Sequence, residues 1–221
     1  MSEEKNVNTT IVDGIEVLDE AELMEKYDRE SKYRHLEGVA RGIVFAIGVA
    51  WSIFHLYTGL FGVFPSTLQR APHLAAAMVL AYLLYPIKGK AGKTIPIWDW
   101  ILCGLSFFCG AYHVINYEAL LHRAGLYTQM DMIVSIIAIL LLLEAARRVV
   151  GPIIVCLAGF FLVYAVLGQY FPGFLAHGGL SLKRVVCFEF LGTEGILGTP
   201  IYVSSSFIYL FLIFATFLKN S

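Results

Sequence analysis

Charged residues are scarce in this chain, and their scarcity indicates the class of protein. Of 221 residues, 15% are Asp, Glu, Lys or Arg, whereas 58% are hydrophobic and 14% are aromatic. A soluble domain carries about 25% charged residues. The apolar residues also come in long runs rather than in the stripes of an amphipathic helix. The sequence therefore predicts an integral membrane protein without a soluble catalytic domain, and we expect no enzymatic activity.

Several patterns that carry chemistry are missing as well. No pair of cysteines has the two-residue spacing of a zinc or redox motif, so we predict no metal site and expect the thiols to act as small hydrophobic groups. No glycine-rich loop is followed by lysine, which argues against ATP-driven transport within this chain. Residues 204–206 are serines without a glycine elbow or a neighbouring base, so no catalytic nucleophile is expected. No cluster of basic and aromatic residues indicates nucleic-acid binding.

The N-terminal tail is polar and acidic. Residues 1–37 contain eleven Asp or Glu residues and five Lys or Arg residues. This stretch has no apolar core of a cleavable signal peptide, so insertion must rely on the first hydrophobic span. We assign residues 1–38 to a cytoplasmic tail, with an amphipathic helix over residues 21–35 on the membrane surface and disorder over residues 1–14.

Six apolar stretches are long enough to cross a bilayer, which takes about 20 helical residues. The predicted spans cover residues 40–62, 68–87, 96–116, 129–147, 152–170 and 201–218. The predicted fold class is therefore all-α, with about six transmembrane helices. Residues 171–200, rich in glycine and proline, predict a short helix lying on or re-entering the membrane and then a bend. Such irregular backbone must be shielded by protein.

Basic residues are concentrated on one side of these predicted spans. That side holds Lys26, Arg29, Lys32, Arg34, Arg41, Lys88, Lys90, Lys93, Arg147, Arg148 and Lys219. The other side holds Arg70, Arg123, Lys183 and Arg184. Cytoplasmic loops carry the excess of lysine and arginine, so both ends of the chain are predicted to be cytoplasmic.

The charged residues within the predicted spans lie near span ends. Asp99 falls in the first turn of the third helix, where a carboxylate complements the helix dipole; an interdomain contact is the alternative. Asp131 is expected to play the capping role in the fourth helix. Glu144, Arg147 and Arg148 are spaced to pair on one helical face. They are expected to anchor the cytoplasmic end of the helix or, alternatively, to form a hinge between two halves of the protein.

Two histidines are predicted to lie at similar depth in the membrane. At about 1.5 Å per helical residue, His55 and His113 both fall nearer the outer face. Two such histidines could clamp a haem, as in a b-type cytochrome. The alternative is a pair of outer-leaflet histidines hydrogen-bonded to main chain or to Tyr57 and Tyr112.

The segment from residue 192 to residue 206 breaks the apolar sequence with glycines and a proline and then supplies hydroxyl groups. Secondary transporters use broken helices near the membrane midplane to bind ions and anionic substrates. The candidate substrate- or ion-binding residues are Gly198, Pro200, Ser204, Ser205 and Ser206. The alternative is a plain loop before the last span.

Several stretches together resemble one transporter family. They are EKYDRESKYR at 25–34, FHLYTGLFGVFPSTLQRAPHLAAAMVLAYLLYP at 54–86, IPIWDW at 95–100, LLLLEAARRVVG at 140–151, and the run from residue 164 through GTEGILGTPIYVSSSFIYLFLIFATFLKNS. They are similar to the N-terminal part of the fused permease of TRAP transporters (tripartite ATP-independent periplasmic transporters), of the type paired with TAXI-class binding proteins.

The resemblance implies an organisation and a function. Residues 39–148 resemble the small four-helix domain called Q, and residues 149–221 resemble the first helices of the large transport domain called M. It implies import of an organic acid across the bacterial inner membrane, driven by Na⁺ or H⁺, with a periplasmic solute-binding protein as partner. Most of the family's ion and substrate sites have no counterpart in this sequence. The chain is therefore expected to be a fragment that does not transport alone.

A second hypothesis is a stand-alone accessory subunit. It would dock to a separate large membrane subunit through the fifth and sixth spans. The fifth span and its start carry small residues suited to close helix approach, namely Gly151, Ala158, Gly159 and Ala165.

Overall fold

The computed structural model describes residues 10–12, 15–17, 33–87 and 94–219. Strands β1 (Thr10–Val12) and β2 (Ile15–Val17) pair as a short antiparallel hairpin. The predicted disorder over residues 1–14 is therefore wrong for residues 10–12, and its remainder lies outside the described residues. Most of the predicted helix over residues 21–35 also lies outside them. Its last residues, 33–35, are described and are not helical.

From residue 33 onward the described residues are helical and contain no strand. The α-helices are α1 (Gly38–Phe61), α2 (Ser66–Leu84), α3 (Ile97–Ile115), α4 (Tyr117–His122), α5 (Gln129–Val149), α6 (Pro152–Leu167), α7 (Leu182–Leu191), α8 (Thr199–Val203) and α9 (Tyr209–Lys219). A π-helical segment (Ser204–Ile208) joins α8 to α9, and two 3₁₀ turns (Gly168–Tyr170 and Gly173–Leu175) follow α6.

Four helical stretches are long and apolar enough to cross a membrane. They are Gly38–Phe61, Ile97–Ile115, Pro152–Tyr170 and Thr199–Lys219. They coincide with the first, third, fifth and sixth predicted spans, so the structure supports a membrane-embedded helical protein. The other two predicted spans are also helical, as α2 and α5, but each buries eight or more side chains in the core. The count of six spans stays a prediction.

The core lies between α2, α3, α5 and α7. Tyr82 and Leu83 of α2, Cys109 of α3 and Val134 of α5 are almost completely buried there. Helices α2 and α3 approach closely at Gly110, because a Cβ atom on this glycine would lie 2.6 Å from the Cβ of Ala75. A glycine at such a crossing lets two backbones approach.

Helices α2 and α5 both run antiparallel to α3 along most of its length. In the second half of α3, Cys109 contacts the main-chain oxygen of Val134 in α5. In its first half, the Cys103 thiol lies 3.6 Å from the Val79 carbonyl of α2. At its beginning, Asp99 contacts Arg148, which lies at the end of α5.

The stretch between α6 and α8 contains the predicted short helix and bend. Helix α7 buries Val185, Val186, Cys187, Phe190 and Leu191 and packs on α5. The bend follows at Gly195, where a Cβ atom would lie 2.4 Å from the Glu189 carbonyl oxygen. The packing on α5 covers one side of α7.

Candidate functional site

The last candidate span is interrupted by its π-helical segment. Its backbone widens there, and the Tyr209 N–H donates to the Ser204 carbonyl, five residues earlier. Single π turns within α-helices are frequent at functional sites. The Ser205 and Ser206 hydroxyls donate to the Tyr202 carbonyl, at 3.2 and 2.6 Å. Both serines are buried, so this break faces the protein interior.

Two buried histidines form a hydrogen-bonded row that ends on this segment. His55 Nε2 of α1 lies 2.9 Å from His73 Nδ1 of α2, and His73 Nε2 lies 3.1 Å from the Ser204 hydroxyl. His55 is 0% exposed and His73 is 4% exposed. We call His55, His73 and Ser204 the histidine cluster. It connects two consecutive helices, α1 and α2, to a segment that lies 131 residues after His73 in the sequence.

A buried glutamine extends the polar contacts around the cluster. Gln69 Nε2 of α2 donates to the Thr58 hydroxyl and to the Ser205 carbonyl, at 3.2 Å in each case. The Thr58 hydroxyl donates in turn to the His55 carbonyl at 3.1 Å. The main chain of the π-helical segment is thus held by a side chain of α2. Because a buried polar group is costly when unpaired, these bonds fix how α1, α2 and the segment pack.

Aromatic rings surround the two imidazoles. The Trp51 ring centroid lies 5.0 Å from that of His73, and the Tyr209 ring centroid lies 4.5 Å from that of His55. The Trp51 and Tyr209 rings contact each other, and the Tyr209 hydroxyl lies 3.1 Å from the Ser52 hydroxyl. An aromatic ring therefore packs against each of the two imidazoles.

The turn before α8 is fixed by an arginine. Arg70 donates to the Leu197 carbonyl at 2.6 Å, and its guanidinium lies 4.8 Å from the centre of the Tyr202 ring. Gly198 is buried in this turn, and a Cβ atom there would lie 2.7 Å from the Gly195 carbonyl oxygen. Pro200 is exposed in the first turn of α8. These two residues shape the turn and contribute no side-chain polar group.

The structure thus brings together three of the five residues that the sequence proposes as substrate- or ion-binding. Ser204, Ser205 and Ser206 join the polar region, whereas Gly198 and Pro200 lie on the turn before it. The sequence reasoning missed Gln69 and His73, which contribute most of the polar contacts to α1 and to the π-helical segment. Their spacing of four residues places both on one face of α2, and this pattern could have revealed them.

The histidines proposed as haem ligands have different neighbours. His55 Nε2, the atom that would bind iron, contacts His73. His113 contacts the Phe190 ring, at 5.9 Å between centroids. The expected bond to Tyr112 is wrong, because the Tyr112 hydroxyl donates to Asp131. The structure therefore offers no observation that favours a haem clamp.

A second buried polar region lies at the other end of α2. The Asp99 carboxylate accepts from Arg34 at 2.5 Å and from Arg148 at 2.9 Å, and all three side chains are nearly inaccessible. Arg148 also donates to Glu144, and Glu144 pairs with Arg147. We call these five residues the arginine network. Glu144, Arg147 and Arg148 pair along one helical face, as their spacing predicts.

The arginine network also closes the carboxyl end of α2. The Arg34 N–H donates to the Leu84 carbonyl, and its guanidinium donates to the Tyr82 and Leu83 carbonyls. Arg148 donates to the Tyr85 carbonyl. The last carbonyls of a helix lack partners within the helix, and cations there also complement its dipole. Asp99 thus links the tail before α1 to α2, α3 and α5.

Asp131 caps α5 as the sequence predicts. Its carboxylate accepts from the Thr128 N–H at 2.7 Å, and its own N–H donates to the Thr128 hydroxyl at 3.2 Å. The same carboxylate accepts from Tyr112 and Arg123. This is a reciprocal capping box that is tied to α3.

Among the described residues, no group of three or more histidine, cysteine or acidic side chains lies in an arrangement that could hold a metal ion. Comparison of the chain with protein-family models, with curated proteins and with solved structures finds no match. The fold and the site therefore define the class by themselves. The chain is a helical protein suited to a membrane, with a buried polar site where one candidate span is interrupted.

Proposed function

We propose that this chain is a membrane component of a secondary transporter, of the TRAP type that its sequence resembles. The transporter would import an organic acid across the bacterial inner membrane, driven by a Na⁺ or H⁺ gradient. A periplasmic solute-binding protein would deliver the acid. The observation that carries this proposal is the interrupted span, whose π-helical segment meets the histidine cluster.

Burial supports a functional role for this break. Polar groups at membrane depth are costly, and polar side chains inside membrane spans mark ion and substrate pathways. The histidine cluster, Gln69 and Thr58 place five polar side chains around one broken turn. Holding an apolar helix in place requires no such concentration. Binding small polar ligands at a helix break does require it.

We propose that residues 39–148 act as a brace and that residues 149–221 begin the transport domain. The arginine network fixes α2, α3 and α5 to one another at one end. The π-helical segment and α9 pack on α1 and α2. A rigid support of this kind would let the mobile part of a larger transport domain move the substrate. The remaining helices would come from the rest of that domain or from a separate subunit.

We also propose six membrane spans, with both ends of the chain in the cytoplasm. Helix α3 is a candidate span, and α2 and α5 lie antiparallel to it along most of its length. Helices that pack along a membrane span in this way would cross the same layer of lipid. Their polar side chains face the core and so escape the usual cost of charge in hydrocarbon.

Uptake into proteoliposomes tests the proposed function. The chain is reconstituted with its transport-domain partner and binding protein, and labelled organic acids are offered under an imposed Na⁺ or H⁺ gradient. We expect accumulation that requires both a gradient and the binding protein, and we expect Ser204→Ala to lower it. The matched control is Thr216→Ala, because the Thr216 hydroxyl is on the exposed part of α9 and bonds within its own helix. Failure to accumulate any acid under either gradient would contradict the proposal.

A stand-alone accessory subunit is the second candidate function. One observation favours it: neither α6 nor α9 buries any side chain within the described structure, so both present apolar faces. The exposed Cys156 of α6 offers a native cross-linking site. A cross-link from Cys156 to a larger membrane protein that co-purifies with the chain would support docking. A monodisperse chain without such a partner would count against it.

A further inference from the structure

The hydrogen bonds of the histidine cluster can run in either direction. His55 Nε2 and His73 Nδ1 lie 2.9 Å apart, so one of these nitrogens must carry a proton and donate it to the other. A neutral imidazole has one N–H group. The direction of this single bond therefore decides, for each ring, whether the nitrogen outside the bond carries a proton.

Two arrangements follow. If His73 Nδ1 donates, His73 Nε2 accepts from the Ser204 hydroxyl, and His55 carries its proton on Nδ1. If His55 Nε2 donates, His73 carries a proton on Nε2 and donates it to the Ser204 oxygen, while His55 Nδ1 is bare. A proton that arrives at the bare Nδ1 converts the second arrangement into the first. The Nε2 proton of His55 then passes to His73 Nδ1, and the Nε2 proton of His73 passes to the Ser204 oxygen. Ser204 releases its own hydroxyl proton on its partly exposed side.

The elements around the two imidazoles provide no acidic side chain that would hold an extra proton on them permanently. Helices α1 and α2 and the stretch Thr199–Lys219 contain no Asp or Glu, and their only charged residues are Arg41, Arg70 and Lys219. Arg70 is itself a cation, and it contacts the Leu197 carbonyl and the Tyr202 ring rather than a carboxylate. The extra charge on the imidazoles would therefore have no permanent counter-ion.

Neutral groups can stabilise that charge instead. The Trp51 and Tyr209 rings lie within the distance of about 6 Å at which an aromatic face attracts a cation. The Ser205 carbonyl faces His55. The tyrosines of these elements are Tyr57 in α1, Tyr82 in α2, and Tyr202 and Tyr209 in the stretch Thr199–Lys219. His55 Nδ1 and Gln69 Oε1 have no hydrogen-bond partner among the described residues. A free nitrogen is thus present at the entry to the row.

We propose that His55, His73 and Ser204 form a proton relay that binds one proton between the two imidazoles and supplies the coupling ion of the transporter. The coupling role rests on the proposed function. The shared proton is a property of the cluster itself and can be measured without transport.

Nitrogen NMR on histidine-labelled protein in lipid bilayers tests the shared proton. We expect an N–H···N coupling between His55 Nε2 and His73 Nδ1, and a coupled titration in which the two rings change together. His73→Gln should abolish the coupling and change the His55 titration. The control His122→Gln removes an exposed histidine outside the cluster and should leave both unchanged. Independent titration of the two rings, or one fixed tautomer throughout, would overturn the relay.

Uptake distinguishes the coupling role from the proposed function. We expect a proton gradient to drive uptake in the wild type and to fail in His73→Gln and in His55→Gln. Uptake that follows a sodium gradient equally in wild type and variants would overturn the relay as the coupling site but leave the transporter standing. If neither the wild type nor the variants took up an acid, the proposed function would be wrong. The NMR result would still show whether the two imidazoles share a proton.

Discussion

At the scale of single residues, Asp99 stands out because it forms salt bridges with two buried arginines. Its carboxylate is the shared acceptor of two buried guanidinium groups, Arg34 and Arg148. Glu144 adds a second carboxylate to Arg148 but is itself partly exposed. Removing one partner from a buried ion pair is costly, because the remaining charge is left uncompensated in a poorly solvated place.

We therefore expect Asp99→Asn to destabilise the protein strongly, by about 3–5 kcal/mol. Unfolding of the purified protein in mixed micelles, followed by circular dichroism, would measure the change. Glu144→Gln is the matched control, and it should cost less because water can solvate the Arg147 and Glu144 side chains. Equal effects of the two substitutions would mean that Asp99 holds no special position in the arginine network.

At the scale of helices, the contact between α2 and α3 depends on one missing side chain. A Cβ atom on Gly110 would approach Ala75 to 2.6 Å, and the obstacle is another Cβ atom that cannot rotate away. The two backbones would have to separate. Gly104 lies on the same helix but would meet nothing within 4 Å.

Replacing each glycine by alanine should therefore give effects of opposite sign. Gly110→Ala should destabilise the protein by about 1–3 kcal/mol through overpacking. Gly104→Ala should be neutral or stabilising by up to about 1 kcal/mol, because alanine favours the helix. The unfolding measurement described for Asp99→Asn would give the stability of both glycine variants. A stabilised Gly110→Ala protein would show that the helices can part at that point without cost.

The helices themselves were predictable from sequence, whereas the polar site was largely not. Apolar runs closed by Pro65, Pro86 and Gly151 indicate where helices lie, because proline and glycine interrupt them. The Thr128–Asp131 box was likewise readable as a local pattern. The bond between His55 and His73 depends on how α1 packs on α2, and a single sequence does not encode that distance in any periodic pattern. The π turn was visible only as a broken, hydroxyl-rich segment.

At the scale of the whole molecule, the two polar regions are attached to opposite ends of α2. His73 of the histidine cluster and Gln69 lie in the first half of α2, and the arginine network contacts its carboxyl end. Helix α2 is thus the element through which the interrupted span is fixed to α3 and α5. This arrangement explains why so much of α2 is buried, although an isolated membrane helix would face lipid.

The proposed number of six spans can be tested directly. Six spans place the turn between α4 and α5 in the periplasm, whereas crossing by only the four most apolar stretches would place it in the cytoplasm. Leu126 lies on that turn and is 80% exposed. In a Cys156→Ser background, we expect Leu126→Cys to react with a membrane-impermeant maleimide added to intact cells. The buried native cysteines should not react with the maleimide.

The exposed His35 supplies the matched position on the other side. His35→Cys should react only after the cells are permeabilised, because the excess of basic residues on this side of the spans predicts a cytoplasmic N-terminus. If Leu126→Cys also required permeabilisation, α2 and α5 would not both cross the bilayer. The brace would then lie partly outside the membrane, and its antiparallel contacts with α3 could not be those of three neighbouring spans.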